Sequence, residues 1–154
     1  MLSESEIQDI NTELSHCATK ASASVEALKI VQKRRGWVPD DAVKDVAALL
    51  EMTADELDAV ATFYSMIFRK PVGRHVILVC DSISCWVMGY NPILDILKDT
   101  LDISLAETTA DKRFTLLPIS CLGACDRAPA MMVDDDLYGP VTPDMMDEIL
   151  NKYE

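Results

Sequence analysis

The chain has 154 residues, 49% of them hydrophobic and 26% charged, which suits a packed core and excludes a disordered or low-complexity chain. Fourteen basic residues against 26 acidic ones leave a net charge of −12, a surface that repels nucleic-acid backbones and anionic membranes alike. The acidic start lacks the basic and apolar regions of a signal peptide, and the longest uncharged run (Ser82 to Leu94, 13 residues) is too short to span a bilayer. A cytoplasmic chain with no direct membrane insertion and no nucleic-acid partner is therefore expected.

In chain order, the first 65 residues read as helices. Ser3 and Glu6 form a capping box before Ile7, Ile10 and Leu14. A second helix is predicted from about Ser22 to Arg35, with Val25, Leu28, Val31 and Gln32 inward and Gly36 at its C′ position. A third starts near Asp40, with Val43, Val46, Ala47 and Leu50 on one face. A second capping box, Thr53 and Glu56, opens a fourth through Leu57, Val60 and Ala61. Four short amphipathic helices make a small bundle, residues 1–68.

The remainder, 69–154, reads as a mixed sheet with covering helices. Strands are predicted at His75–Val79, Phe114–Ile119 and Ala130–Val133. A turn at Asp134-Asp135-Asp136 precedes a possible fourth, Leu137–Gly139. Asn91 to Leu101 reads as a helix with Pro92 at N1. A last helix is capped by Thr142 and turns Met146, Ile149, Leu150 and Tyr153 inward. The fold class is α+β.

Four of the five cysteines form two local pairs. Cys80 and Cys85 are separated by four residues, Cys121 and Cys125 by three, and each pair follows a predicted strand into a loop. Four thiolates at one place repel without a cation, so a metal centre is the natural resolution. Spacing alone leaves three readings open: an iron–sulfur cluster, a structural zinc, and redox or merely buried thiols. The small neighbours Ser82, Ser84, Gly123 and Ala124 favour the cluster, because they let backbone N–H groups approach sulfur. Asp81 and Asp126 oppose the addition of an electron if close enough, and Arg127 either offsets that charge or is simply an exposed loop residue. The Cys80 pair differs from a plant-type ferredoxin loop, since position 88 is Met.

The runs His75-Val-Ile-Leu-Val-Cys80-Asp-Ser-Ile-Ser-Cys85 and Phe114-Thr-Leu-Leu-Pro-Ile-Ser-Cys121-Leu-Gly-Ala-Cys125-Asp-Arg-Ala-Pro129 closely resemble the 24 kDa subunit family of respiratory complex I, the bacterial NADH:quinone oxidoreductase. Arg35-Gly-Trp-Val-Pro39 and Val60-Ala-Thr-Phe-Tyr64 extend the match over nearly the whole chain. The resemblance implies a thioredoxin-like domain behind an N-terminal helical region and one [2Fe–2S] cluster on Cys80, Cys85, Cys121 and Cys125. It further implies a larger partner subunit that binds FMN and NADH, other peripheral-arm subunits, and a position on the cytoplasmic side of the inner membrane. It does not separate this role from the equivalent diaphorase subunit of a soluble NAD-linked hydrogenase or formate dehydrogenase. A zinc-stapled structural adaptor is the alternative of a different class.

Other residues read more plainly. Cys17 is a small apolar side chain in a helical stretch. His16 and His75 suggest a Rieske-type set, but the paired cysteines already complete a coordination shell. Lys33-Arg34-Arg35 is a solvated helix end that complements the dipole. Phe63, Tyr64, Trp37 and Trp86 are core or interface aromatics, and Trp86 adjoins a thiol it can shield. Pro129 precedes a strand, where thioredoxin-like folds often carry a cis-proline, although most X–Pro bonds are trans. No glycine-rich phosphate loop occurs, so the chain alone has no recognisable NAD or FMN site and no catalytic residues.

Overall fold

The computed structural model describes residues 1–153. Two compact units emerge, Met1–Pro71 and a second from Val72 onward. Among the described residues no helix is long and apolar enough to cross a membrane.

The first unit holds helices α1 (Glu4–Leu14), α2 (Ser24–Arg35), α3 (Asp40–Leu50) and α4 (Ala54–Phe63). Both capping boxes form: Ser3 and Glu6 exchange hydrogen bonds at the start of α1, as do Thr53 and Glu56 at the start of α4. Helix α2 starts later than the spacing predicts, because Lys20–Ala23 forms a separate 3-10 turn capped by Thr19. Its buried face is Ala27, Leu28 and Val31, and Val25 is only half-buried. Gly36 ends it at φ +80°, a left-handed conformation glycine adopts without a Cβ penalty. The core gathers Ile10, Leu28, Val31, Val46, Leu50 and Leu57. Cys17 is half-buried against it, but lies after α1 and not within a helix.

In the basic run at the end of α2, Lys33 and Arg34 are exposed as expected, but the two arginines are also tied to carboxylates. Arg34 pairs with Asp9. Arg35 grips Glu6 with both arms, Nε to Oε1 at 2.7 Å and Nη2 to Oε2 at 2.8 Å. Glu6 is 2% exposed and also accepts from the Ser3 N–H and hydroxyl. The Arg35 hydrogen bonds, helped by Ser3, outweigh the burial that opposes ionisation and hold this carboxyl at about 2. Arg69 makes a second clamp, reaching Asp58, Asp40 and the Val38 carbonyl.

The second unit contains β1 (His75–Cys80), α5 (Ile83–Met88), α6 (Tyr90–Leu101), β2 (Glu107–Thr108), β3 (Phe114–Ile119), β4 (Met131–Val133), β5 (Asp136–Tyr138) and α7 (Met146–Leu150). The sheet order is β2-β3-β1-β4-β5. Strands β1 and β3 run parallel, from His75 opposite Phe114 to Cys80 opposite Ile119. β4 returns antiparallel on the other side of β1, Met131 facing Val79. β1 is therefore the central strand, and its last five residues are buried. Ile77, Val79, Ile93, Leu97, Leu116 and Met131 form the core with Met146 and Ile149.

Several details depart from the sequence reading. β2 spans two residues, too few to leave a periodic signal. The turn before β5 occupies Asp134 and Asp135, with Asp134 at φ +51°, so Asp136 belongs to the strand. Thr142 stands at the cap position but makes no side-chain cap bond, and a 3-10 turn (Pro143–Met145) precedes α7. Pro92 lies in the first turn of α6 but not at its first position. The Ala128–Pro129 peptide is cis, as is Gly139–Pro140.

The folded Glu6 carboxyl titrates below its ordinary value of 4.5, so its stabilisation is complete above about pH 4.5 and is lost as pH falls toward 2. Glu6→Gln is expected to destabilise the chain near neutrality by on the order of 3 kcal/mol. Urea unfolding followed by far-UV circular dichroism checks this, and the gap between variant and wild type closes below pH 3. A constant gap across that range contradicts the assignment.

Candidate metal centre

In-register parallel pairing makes β1 and β3 end at the same edge of the sheet, so the segments following them leave from one place. Cys80 is the last residue of β1. Cys121 lies two residues beyond β3, and Cys125 opens a 3-10 turn, Cys125–Arg127. The antiparallel approach of β4 brings Ala130 to the same edge, where its carbonyl accepts the Cys80 N–H at 3.2 Å. The Asp81 N–H bonds the Ile119 carbonyl at 3.0 Å and ties the two strand ends together.

The first cysteine pair is not in a loop, contrary to the sequence reading. Cys85 sits inside α5, bracketed by Ser82 and Gly89. The run Ile83-Ser-Cys-Trp-Val-Met is only six residues long, and its β-branched and aromatic members are indifferent helix formers, so neither length nor propensity announces it. The two bracketing residues are the available signal.

Cys80 and Cys85 are 2% and 1% exposed, whereas Cys121 and Cys125 face solvent. All five cysteines are free thiols. Burial pushes the Cys85 thiol up, and the neighbouring Cys80 and Cys125 sulfurs push it the same way. The Ala130 N–H, donating to the Cys85 sulfur, opposes both. The structure thus brings Cys80, Cys85 and Cys125 within interaction range. Cys121 lies at the exposed rim, its sulfur accepting the Gly123 N–H at 3.3 Å. Among the described residues no three His, Cys, Asp or Glu side chains close around a single ion.

The donor set fits an iron–sulfur group. The side chains offered are thiols, and the groups directed at sulfur are backbone N–H donors, which stabilise negative charge there. Gly123 supplies its donor from a left-handed backbone, φ +73°. His75 stands away from Cys80 by its place in the strand. His75 opens β1, about 17 Å from Cys80 along a six-residue strand, and bonds Asp134 at 2.6 Å. Asp81 acts on Tyr90, whose phenol is pushed up first by burial and then by that carboxylate.

Two features escaped the sequence reading. The exposed face of α5 is apolar: Ile83, Trp86, Val87 and Met88 all lie open, Trp86 at 56%. Trp86 is thus open to solvent on the outer face of this helix. The Cys125 turn is also buttressed from behind by Gly139, where a Cβ would lie 2.4 Å from the Arg127 carbonyl oxygen. The Val141 N–H to the Pro129 carbonyl, 2.9 Å, continues that contact.

A β-α-β unit in parallel register, a hairpin completing the sheet, and thiols gathered at the strands' carboxyl ends define a thioredoxin-like domain with a thiol-rich centre. The thioredoxin-like [2Fe–2S] ferredoxin family matches over residues 10–154, and the chain belongs to that family, whose cofactor is a [2Fe–2S] cluster. The NADH-quinone oxidoreductase E subunit of Pseudomonas aeruginosa is 51% identical over 99% of this chain and 92% of its own length. Its counterpart in Escherichia coli K12, of the same name, is 50% identical over the same shares. Among solved structures, an NAD+-reducing [NiFe]-hydrogenase polypeptide superposes with a TM-score of 0.72 at 22% identity. The match covers 85% of this chain and 22% of the hydrogenase polypeptide, a likeness of fold alone.

Gly139→Ala is expected to push the Cys125 turn away from the edge of the sheet. Visible absorption per chain after purification should fall well below wild type, while the far-UV spectrum stays close to it. Full absorption in the variant contradicts the buttress.

Proposed function

We propose that this chain is the electron-transfer subunit of an NADH:quinone oxidoreductase, and that Cys80, Cys85, Cys121 and Cys125 hold its [2Fe–2S] cluster. In this role it exchanges single electrons with the FMN of a larger, NADH-binding partner. The observation that carries the reading is the delivery of both cysteine pairs to one end of a parallel strand pair, in a chain half-identical along its whole length to named components of that enzyme.

When bound, a [2Fe–2S] cluster supplies a one-electron couple whose potential depends on net charge, hydrogen bonds to sulfur and exposure. The chain's own residues supply the rest. The ends of β1 and β3 fix where the thiols stand. The Gly123 and Ala130 N–H groups favour negative charge on the Cys121 and Cys85 sulfurs. The apolar outer face of α5, beside Cys85, suits a protein partner seated over the centre, with Trp86 as its anchor. Residues 1–68 form the helical arm and 69–154 the cluster domain; the compact units divide three residues later, between Pro71 and Val72. The place of work is peripheral, on the cytoplasmic side of the inner membrane, reached through partner subunits. The hydrogenase likeness keeps a diaphorase subunit of a soluble NAD-linked enzyme as the second reading, at far lower identity.

The purified chain is expected to contain two irons and two acid-labile sulfides, with an electron paramagnetic resonance signal that develops only on reduction. Cys121→Ala should lose both iron and signal. A colourless chain with one zinc would point instead to a stapled adaptor, and a Cys121→Ala chain with unchanged iron would refute the ligand set. In co-purification with the flavin-containing subunit, Trp86→Ala is expected to weaken association by roughly tenfold or more, as for an interface hot spot, at unchanged visible absorption. Unaltered association would place the interface elsewhere.

A further inference from the structure

The four thiols are not equally reachable. Cys80 and Cys85 are almost fully buried, one closing the central strand and one on the inward side of α5. Cys121 and Cys125 are exposed and stand on irregular chain: a bend through Gly123 with open space around it, then a single 3-10 turn. The Gly123 N–H already fixes the direction of the Cys121 sulfur. A cluster built elsewhere and carried in by a thiolate-ligated donor meets first the sulfurs that solvent meets.

We propose that the cluster is loaded in a fixed order, captured by Cys121 and Cys125 and then closed by Cys80 and Cys85. The order rests on the four-ligand reading above. Each exchange replaces one donor thiolate on iron by one thiolate of this chain, and the proton that the chain's thiol gives up leaves on the departing donor thiol. Four exchanges move the cluster with no change in the oxidation state of iron or in the bridging sulfides. The exposed pair is thus an entry site as well as half of a ligand set. The buried pair supplies a late, slow step, because α5 or the edge at Ala130 must open for each sulfur to reach iron.

The test uses the full chain, stripped of metal by a chelator under reducing conditions. Pulse alkylation with iodoacetamide, read by peptide mass spectrometry, is expected to modify Cys121 and Cys125 at least about tenfold faster than Cys80 and Cys85. Uptake from a glutathione-ligated [2Fe–2S] complex is then followed by stopped-flow absorption. Cys121→Ser and Cys125→Ser should slow the first, donor-dependent phase. Cys80→Ser and Cys85→Ser should leave that phase intact and stop at a species that retains glutathione in native mass spectra. Equal alkylation of all four thiols, or equal slowing of the first phase by all four variants, overturns the order. Wild-type chain that acquires no cluster absorption at all overturns the ligand reading, and the order with it.

Discussion

The parallel pairing of β1 with β3, in register from His75 and Phe114 to Cys80 and Ile119, is the constraint on which the metal centre depends. A slip of one residue moves one thiol-bearing segment by about 3.3 Å and turns its side chains to the other face of the sheet. The register is held by burial. Val76 to Val79 on β1 and Phe114 to Leu116 on β3 have no solvent-facing alternative. Everything at the carboxyl edge follows from it: the Asp81 bridge to Ile119, the arrival of Ala130 opposite Cys80, and the support of the Cys125 turn by Gly139.

The electrostatics of this edge differ from those of the chain as a whole. A net charge of −12 disfavours any further anion on average. At the Cys121 and Cys85 sulfurs, however, backbone N–H groups favour negative charge, and the neighbouring Asp81 carboxylate acts on the Tyr90 phenol. Local main-chain dipoles therefore favour negative charge where the global field does not. The apolar α5 face beside Cys85 adds the complementary property, a surface from which a protein partner readily excludes water.

Much of this was legible in the residues. The two capping boxes, the Gly36 stop and the long strands all carry strong local signals, and each reappears in the structure. What was hidden is short or nonlocal. α5 has six residues of poor helix formers, and β2 has two residues paired only because β3 offers an edge. The pairing of Arg35 with Glu6 joins residues 29 apart and cannot be read from the basic run alone. The unequal burial of the four thiols is likewise a property of the packed sheet and of the helix and turn that follow its strands.

In the proposed function, one sheet edge gathers two thiol pairs that together hold a binuclear cluster. Iron K-edge X-ray absorption on the purified chain tests it most directly. An all-sulfur first shell and a short iron–iron vector are expected, both lost in Cys121→Ala. A shell with nitrogen or oxygen ligands, or an all-sulfur shell without an iron–iron vector, would contradict it.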